Sequence, residues 1–389
     1  MKYRILSTAC DYRKDRISAN DVSEYNYIST ENMLPNRGGV EIASTVAEGK
    51  TFPAYKPGDI LLSNIRPYFK KIWLADKVGG CSNDVLILKT NASVDKKILY
   101  YVLSDNNFFN YSTVTSKGTK MPRGSKTAIM KYLVPDIDIP TQKRIADILS
   151  TYDDLIANNN KRIALLEKAA QELYKEWFVR FRFSGYETAE FENGLPKGWT
   201  IKRMNDFCYV TDGTHDTPNP LNKGIPLITG RCIKNGFVDF DEAYCISEKD
   251  HKNIKKRSGL SSGDILFSNI GTVGNCCIVD YCMEFSVKNV IIFKSNDMMQ
   301  TAYLYYWMTS DSMQEIFATQ TNGASQQFVG LTFMRRYKIL IPEQKILTAF
   351  GEKILPIIEQ KRLLHKNNLN LAKQRDLLLP RLMSGKLEV

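Results

Sequence analysis

Two stretches of the chain consist of short apolar runs separated by turn residues, and each is followed by a long segment with helical periodicity. The apolar runs in "GDILLSNI" at 58–65 and "GDILFSNI" at 263–270 are bounded by Gly, Asn and Pro. This pattern predicts β-strands that alternate with turns. We therefore predict two globules of mixed α/β content with a strong β component, at residues 1–140 and 186–342.

The two long segments, 141–185 and 343–389, carry apolar residues at two positions of successive heptads, which predicts a coiled-coil seam. Pro356 is expected to kink the second helix, and Pro380 to mark its end. Asn159 at a seam position can fix the register of the helices, and a solvated asparagine run is the alternative. The predicted seam residues are Ile145, Leu149, Ile156, Asn159, Ile163, Leu166, Leu173 and Trp177 in the first helix, and Ile354, Ile357, Leu364, Leu371 and Leu378 in the second.

The second globule repeats the first at an offset of 205 residues, since "DVLILK" at 84–89 matches "NVIIFK" at 289–294 and "LYYVL" at 99–103 matches "LYYWM" at 304–308. Such self-similarity predicts an internal duplication. The simplest closed arrangement of a duplicated chain folds the two helices antiparallel, with the globules at opposite ends and a pseudo-twofold axis between them. The predicted fold class is therefore α+β.

Composition adds a preference for a polyanionic partner. The chain has 389 residues, 53 Lys and Arg against 42 Asp and Glu, and a net charge of +11. A basic surface favours nucleic acid, because neutralised phosphates release counterions. No apolar run is long enough to span a bilayer, and the first residues turn charged too soon for a secretory signal, so we expect a soluble cytoplasmic protein with reduced cysteines and no membrane partner.

Known catalytic motifs fit the sequence poorly. "EGKT" at 48–51 lacks the first glycine of a phosphate-binding loop, and "NPLN" at 219–222 lacks the aromatic residue of an amino-methyltransferase motif. "EQK" at 343–345 has nuclease-like spacing but no preceding Asp, and opens a helix where Glu is favoured. Cys276, Cys277 and Cys282 lack a zinc-ligand spacing and are expected to be core thiols. We predict no catalytic or metal-binding residue.

Three segments are candidates for DNA contact; an ordinary solvated face is the alternative for the first two, and a structural role of His215 is the alternative for the third. Residues 106–135 contain no acid, and the glutamine and asparagine side chains of the repeat counterpart can pair with adenine. The third segment is "TDGTH" at 211–215 with the polar residues that follow it. The candidates are Lys117, Lys120, Arg123 and Lys126 in the first segment, Asn322, Gln326 and Gln327 in the second, and Thr214, His215, Arg231, Lys234 and Asn235 in the third.

Taken in order, these motifs resemble the specificity subunits of type I restriction-modification systems. The resemblance rests on "GDILLSNI" and "GDILFSNI", the helices opened by "IPTQKRIADIL" and "IPEQKILTAF", and "ELYKEWFVRFRFSG", "NGLPKGW", "TDGTHDTP" and "LLLPRLMSGKL". It covers essentially the whole chain. The first globule lacks a clear counterpart of "TDGTH", so the role of that loop is not carried over to it.

The resemblance implies two target recognition domains that read the halves of a split site in double-stranded DNA, held apart by the helices on which two modification subunits dock. The modification subunits would methylate adenine with S-adenosylmethionine, and a restriction subunit, where present, would use ATP and Mg²⁺. This chain would then hold no cofactor. Two other hypotheses remain open at this point: a self-contained DNA-modifying enzyme with unrecognised motifs, and a coiled-coil adaptor that does not contact DNA.

Overall fold

The computed structural model describes residues 2–281, 283–321, 328–384 and 386–387. The chain forms two compact units: unit 1 comprises residues 1–159 and 366–389, and unit 2 comprises residues 160–365. Each unit therefore contains one globule and part of both long helices. No helix in the described ranges is long and apolar enough to cross a membrane.

Unit 1 contains two four-stranded sheets. Its strands are β1 (Tyr3–Ile5), β2 (Cys10–Tyr12), β3 (Arg16–Ser18), β4 (Tyr27–Ile28), β5 (Thr51–Tyr55), β6 (Ile60–Ser63), β7 (Ile72–Leu74), β8 (Gly79–Cys81), β9 (Val85–Thr90) and β10 (Leu133–Pro135). One sheet has the order β2-β9-β6-β7 and is antiparallel throughout, and the other has the order β3-β5-β8-β4 with β4 parallel to β8. Strands β1 and β10 form a separate antiparallel pair.

The helices of the first globule cover the sheet that contains β6. They are α1 (Lys96–Ser104), α2 (Asn106–Val114) and α3 (Lys126–Ile129). Asp95 starts α1 by accepting hydrogen bonds from the N–H groups of Lys97 and Ile98, which have no partner inside the helix. Leu62 and Leu88 of the sheet and Phe108 of α2 belong to one buried core.

Unit 2 has the corresponding elements. Its strands are β11 (Phe191–Glu192), β12 (Leu195–Pro196), β13 (Thr200–Arg203), β14 (Tyr209–Asp212), β15 (Ile225–Ile228), β16 (Ile233–Lys234), β17 (Phe237–Val238), β18 (Tyr244–Ile246), β19 (Ile265–Ser268), β20 (Cys276–Ile278), β21 (Ser286–Val287), β22 (Val290–Lys294) and β23 (Lys338–Ile341). Its short helices are α5 (Met204–Phe207), α6 (Glu248–Ser258), α7 (Met298–Met308), α8 (Asp311–Thr321) and α9 (Leu331–Arg336). The main sheet has the order β14-β22-β19-β20, a second has the order β18-β15-β21, and β13 pairs with β23.

The structure confirms the internal duplication. Strands β6 and β9 are the two central strands of their sheet in unit 1, and β19 and β22 hold the same places in unit 2. Strand β19 begins 205 residues after β6, and β22 begins 205 residues after β9. Helix α8 likewise begins 205 residues after α2. The offset found in the sequence is thus the offset between equivalent elements.

The repeated Gly-Asp dipeptide has the same structural cause in both units. Gly58 and Gly263 have φ values of +92° and +88°, in the left-handed region that costs glycine least. The carboxylate that follows accepts a hydrogen bond from the backbone N–H three residues earlier, at 2.7 Å for Asp59 and 2.8 Å for Asp264. Each turn therefore closes on itself immediately before the central strand.

The long helices are α4 (Ile139–Tyr174), which continues into one π-helical turn at Lys175–Val179, and α10 (Gln344–Met383). The left-handed backbone of Phe181, with φ of +56°, lies just beyond that turn. Each helix contributes to both units, so each unit contains an α4 segment packed against an α10 segment.

The expectation that Pro380 ends the second helix is wrong, because α10 runs through it to Met383. A proline inside a helix removes one hydrogen bond to the carbonyl four residues earlier. Leu379, Leu382 and Met383 are nevertheless buried in the core of unit 1. Burial of these three side chains offsets the lost bond, since each buried aliphatic side chain contributes about 1.5–3 kcal/mol.

Candidate nucleic-acid interface

The basic segment of unit 1 forms a closed loop between α2 and α3. Lys117 and Arg123 exchange two backbone hydrogen bonds of 2.9 and 2.8 Å, and the N–H of Gly124 donates to the Asn64 carbonyl at 2.9 Å. The loop is therefore anchored to the residues that follow β6. All four candidate side chains are exposed: Lys117, Lys120 and Arg123 in the loop, and Lys126 at the start of α3.

Charge in this loop is largely uncompensated. Arg123 pairs with Asp84 at 3.1 Å, where both side chains are partly exposed. Within the part of the chain that the structure describes, Lys117, Lys120 and Lys126 form no ion pair. Exposed ammonium groups without carboxylate partners suit phosphate contact, because neutralising a phosphate then breaks no existing pair.

The corresponding loop of unit 2 lies partly outside the described residues. The candidates Asn322, Gln326 and Gln327 all fall in the range 322–327 and have no described position. The chain is described again at Phe328, which forms a β-bridge with Ile270. Asn269 accepts a hydrogen bond from the N–H of Val329 at 2.9 Å and donates its side-chain amide to the Val329 carbonyl at 3.2 Å. Both units thus attach this loop to the Ser-Asn-Ile end of the central strand.

A nearby cation of unit 2 has a different role from the one its position in the sequence suggests. Arg335, which lies in the repeat counterpart of the basic segment, donates from Nε and Nη2 to the Val210 carbonyl at 2.9 and 2.8 Å. The guanidinium therefore ties α9 to β14 inside unit 2. Its donors are largely committed to the fold.

The "TDGTH" segment places one histidine at the surface. Thr214 is buried and forms a parallel β-bridge with Lys288, whereas His215 is exposed. Both ring nitrogens of His215 are held, Nε2 by Asp212 and Nδ1 by Asn289, each at 2.9 Å. An exposed ring in a fixed orientation can present its face and edge to a ligand without losing side-chain freedom on binding.

The residues predicted to accompany His215 lie in a separate hairpin and in the 3₁₀ turn before it. Arg231 is exposed, and Asn235 adopts a left-handed backbone with φ of +52° between β16 and β17. Lys234 pairs with Asp239 at 3.0 Å and Glu242 at 3.2 Å. Two carboxylates already neutralise this ammonium, so it is a weaker phosphate ligand than the unpaired lysines of unit 1.

The same hairpin packs on a long helix within unit 2. Phe237 of β17 stacks on His365 of α10 with ring centroids 3.9 Å apart and planes at 5°. Burial lowers the pKa of His365, because the charged ring would lose hydration, and Asp239 partly opposes this shift. The neutral imidazole is thus favoured against the aromatic ring.

Every predicted seam residue is shielded from solvent to some degree. Six are buried, namely Ile145, Leu149, Asn159, Trp177, Ile354 and Leu364, and seven are half-buried, namely Ile156, Ile163, Leu166, Leu173, Ile357, Leu371 and Leu378. In unit 1, Nδ2 of Asn159 donates to Oδ1 of Asn368 at 2.8 Å, and both side chains are buried. A buried asparagine pair of this kind fixes helix register.

Ion pairs accompany the seam in both units. Asp153 of α4 pairs with Arg375 of α10 in unit 1, and Glu167 of α4 pairs with Lys361 of α10 in unit 2. In unit 1 the sum of the residue numbers of Asp153 and Arg375 differs by one from that of the asparagine pair, as an antiparallel register requires. In both pairs α4 supplies the acid and α10 the base. Sequence reasoning missed these pairs because charges at seam edges look like solvated faces.

The weak catalytic motifs fall in unsuitable local structure. "EGKT" at 48–51 runs into strand β5 and not into a helix, so its N–H groups cannot form a phosphate-binding helix N-terminus. Cys276 and Cys277 are buried in the hydrophobic cores, and burial raises the pKa of both thiols. Cys282 lies outside the described residues. The described residues contain no group of three or more His, Cys, Asp or Glu arranged to hold a metal ion.

Two matches to one family model settle the class of protein. A model described as the type I restriction modification DNA specificity domain matches residues 8–168 and again residues 196–371. The chain belongs to this family. Its two matched segments correspond to the two halves of the internal duplication, so this specificity subunit carries two recognition domains.

Curated relatives agree with this assignment. The chain is 26% identical over 388 residues to the type I restriction enzyme MjaIX specificity subunit of Methanocaldococcus jannaschii, covering 96% of this chain and 86% of the relative. It is 23% identical over 446 residues to the type I restriction enzyme HindI specificity subunit of Haemophilus influenzae, covering 96% of each. The resemblance identified from the sequence motifs is therefore confirmed.

A solved structure supports the fold. The crystal structure of the type I restriction-modification system S subunit from M. genitalium superimposes with a TM-score of 0.54 at 15% identity, covering 98% of this chain and 95% of that chain. The predicted class, mixed α/β recognition domains with two long helices, is confirmed. How the subunit uses individual side chains on DNA stays a prediction.

Proposed function

We propose that this specificity subunit binds a bipartite target in double-stranded DNA, with each recognition domain reading one half-site. The observation that carries the proposal is the duplicated sheet, in which the end of the same central strand forms a β-bridge with Arg123 in unit 1 and with Phe328 in unit 2. Because the sheets of the two units are equivalent, they hold equivalent loops. Differences between the loop sequences would let the two half-sites differ. Phosphate contacts from Lys117, Lys120 and Lys126 would position unit 1, and base-edge contacts would provide sequence preference.

The chemistry is proposed to belong to partner subunits. Two modification subunits would transfer methyl groups from S-adenosylmethionine to adenine, and a restriction subunit, where present, would use ATP and Mg²⁺. The specificity subunit would bind none of these cofactors and work in the cytoplasm. The poor fit of the catalytic motifs to their local structure supports this division of labour.

The outer faces of the long helices are the proposed docking surfaces for the modification subunits. Apolar side chains outside the seam are exposed there, where water would otherwise not favour them. They are Leu155 and Leu165 on α4, and Leu363, Leu369 and Leu377 on α10. Exposed apolar surface of this kind marks a site of contact with a partner protein.

Methylome sequencing tests the proposal. A host that carries this chain together with its modification partner should show methylated adenines in one split sequence with an unread spacer, and a host with the partner alone should not. A contiguous methylated site would contradict the two-reader arrangement.

The purified chain separates the proposal from an enzyme of its own. Incubated with DNA, S-adenosylmethionine, ATP and Mg²⁺, it should give neither methyl transfer nor cleavage. Turnover by the chain alone would favour the self-contained enzyme, and failure of the assembled complex to bind DNA would favour the adaptor hypothesis.

A further inference from the structure

A short turn in unit 1, residues Arg66–Lys70, joins the end of strand β6 to strand β7 and places two aromatic rings at the surface. Pro67–Phe69 form a single 3₁₀ turn, with Tyr68 47% and Phe69 39% exposed. The two rings lie 4.8 Å apart. Exposed aromatic neighbours between basic residues are unusual for a solvated loop, because their apolar surface remains in water.

The turn is part of the same surface as the basic loop. The N–H of Arg66 donates to the Pro122 carbonyl at 2.8 Å, and Ile65 forms a β-bridge with Arg123. The aromatic rings are therefore held next to the segment that carries Lys117 and Lys120. A surface that combines unpaired cations with aromatic faces fits a nucleic acid better than an apolar partner.

The backbone at the two ends of the turn has a conformation that favours glycine, yet Arg66 and Lys70 occupy these positions. Arg66 and Lys70 have φ values of +49° and +53°, in the left-handed region that is unfavourable for side chains with a Cβ. The equivalent connection of unit 2 is one residue shorter and has glycine at both ends, Gly271 with φ of +77° and Gly274 with φ of +99°. The left-handed ends of this connection are therefore formed by glycine in one unit and by two cations in the other.

Neighbouring backbone holds the strained turn in place. The N–H groups of Asn36 and Arg37, which are themselves left-handed, donate to the carbonyls of Phe69 and Lys70 at 2.9 Å each. Strain that the surrounding structure maintains at the surface is characteristic of functional sites. The turn is thus rigid before any ligand arrives.

Among the residues that the structure describes, the side chain of Arg66 lacks partners that an anion could supply. The residue is half-buried, its Nε atom is buried without a hydrogen-bond partner, and within the described residues its guanidinium forms no ion pair. A buried donor without an acceptor is costly, so little holds the Arg66 side chain in this conformation, and turning the guanidinium outward to a phosphate would give its donors an acceptor. Arg37 also has a buried Nε atom without a partner, but its Nη2 and Nη1 atoms already donate to Asn106 at 2.7 Å and to Asp376 at 3.2 Å.

We propose that the turn Arg66–Lys70 is a DNA-contact element of the first recognition domain, in which Arg66 binds a backbone phosphate and Tyr68 packs its ring against a base. The inference deepens the proposed function and rests on it. Because unit 2 has Gly271, Thr272 and Val273 in place of this sequence, the aromatic contact exists at one half-site only. The two recognition domains would therefore read their half-sites through different contacts, although their sheets are equivalent.

Glycine substitution gives a test in which loss of folding does not confuse the result. Arg66→Gly relieves the left-handed strain, so its melting temperature should equal or exceed that of the wild type. In the complex with the modification partner, its plot of log affinity against log salt concentration should flatten by about 0.9 for the lost phosphate contact. Lys50→Gln, an exposed lysine remote from the turn in sequence, is the matched charge control and should leave the slope unchanged.

Tyr68→Ala tests the ring. Loss of stacking on one base should weaken binding about 5- to 150-fold with an unchanged salt slope, and Tyr68→Phe should restore binding. Tyr25→Ala, at a more exposed tyrosine of unit 1, is the control. A 2-aminopurine base placed along the half-site should change its fluorescence with wild type and not with Tyr68→Ala.

The outcomes separate this inference from the function on which it rests. Wild-type binding and salt slope in both Arg66→Gly and Tyr68→Ala would overturn the inference while leaving the bipartite reading intact. Loss of the modification subunit from either variant would show that the turn contacts protein and would also overturn it. A wild-type complex that prefers no DNA site would instead refute the proposed function.

Discussion

Breaking the ion pair between Glu167 and Lys361 is expected to destabilise unit 2 more than an ordinary surface pair would. Lys361 is only 6% exposed, and it lies 5.6 Å from the ring centroid of Tyr305 and 6.0 Å from that of Tyr306. The side chain of Glu167 is 23% exposed. Glu167→Gln removes the countercharge and leaves the ammonium group in place.

The expected magnitude follows from this asymmetry in burial. Removing one partner of a fully buried pair costs about 3–5 kcal/mol. The partial exposure of Glu167 and the cation–π contacts with the two tyrosines reduce this, so we expect about 2–3 kcal/mol for Glu167→Gln. Lys361→Met leaves a carboxylate that water can reach and should cost about 1–2 kcal/mol. The double variant should be no worse than Lys361→Met alone.

Urea unfolding followed by circular dichroism would give the free energies, with hydrogen exchange at residues 160–174 to assign the transition to unit 2. Glu190→Gln is the control, because its pair with Lys197 is exposed on both sides and should contribute about 0.5 kcal/mol or less. Additive effects of the two single substitutions, without coupling of at least about 1 kcal/mol, would refute the reasoning.

Four further predictions concern other residues. Gln at Lys117 or Lys120 should flatten the salt dependence of DNA binding by about 0.9 per lost contact, and an unchanged slope would return the loop to an ordinary solvated face. Arg335→Ala should lower stability by about 1.5–3 kcal/mol without changing that slope, because its guanidinium bonds to the Val210 carbonyl; a flattened slope would instead place it on DNA. The lowered pKa of His365 means that the unfolded chain protonates first as pH falls, so its contribution to stability is present above about pH 6.5 and lost below it. His365→Phe should reduce the acid-side slope of stability against pH, and an identical slope would contradict this. Leu363→Glu should release the modification subunit while leaving the melting temperature unchanged, and retained binding would exclude this face as the docking surface.

Local sequence determined which secondary-structure elements the chain forms. The Gly-Asp dipeptides, the β-rich runs and the heptads act over a few residues, through backbone conformation and through which side chains share a face, so their consequences can be read directly. Duplication added a global constraint, since a sequence that repeats at an offset of 205 must form equivalent strands. The family followed from these features together.

Tertiary structure decided which charges are available. Lys117, Lys234 and Arg335 are similar in the sequence, yet among the described residues Lys117 is exposed and forms no ion pair, Lys234 pairs with two carboxylates, and Arg335 donates to a backbone carbonyl. Their partners are distant in sequence or on facing loops, so no local pattern predicts them.

The same holds for the turn at Arg66–Lys70. Its sequence, "RPYFK", shows cations and aromatics, but the left-handed backbone of Arg66, the buried Nε atom and the contact with Pro122 arise only when three loops converge. Strain and desolvation depend on the surroundings of an atom, and the chain acquires those surroundings only by folding. The sequence therefore determined which elements form and how they repeat, and the tertiary structure determined which side chains are free to meet DNA.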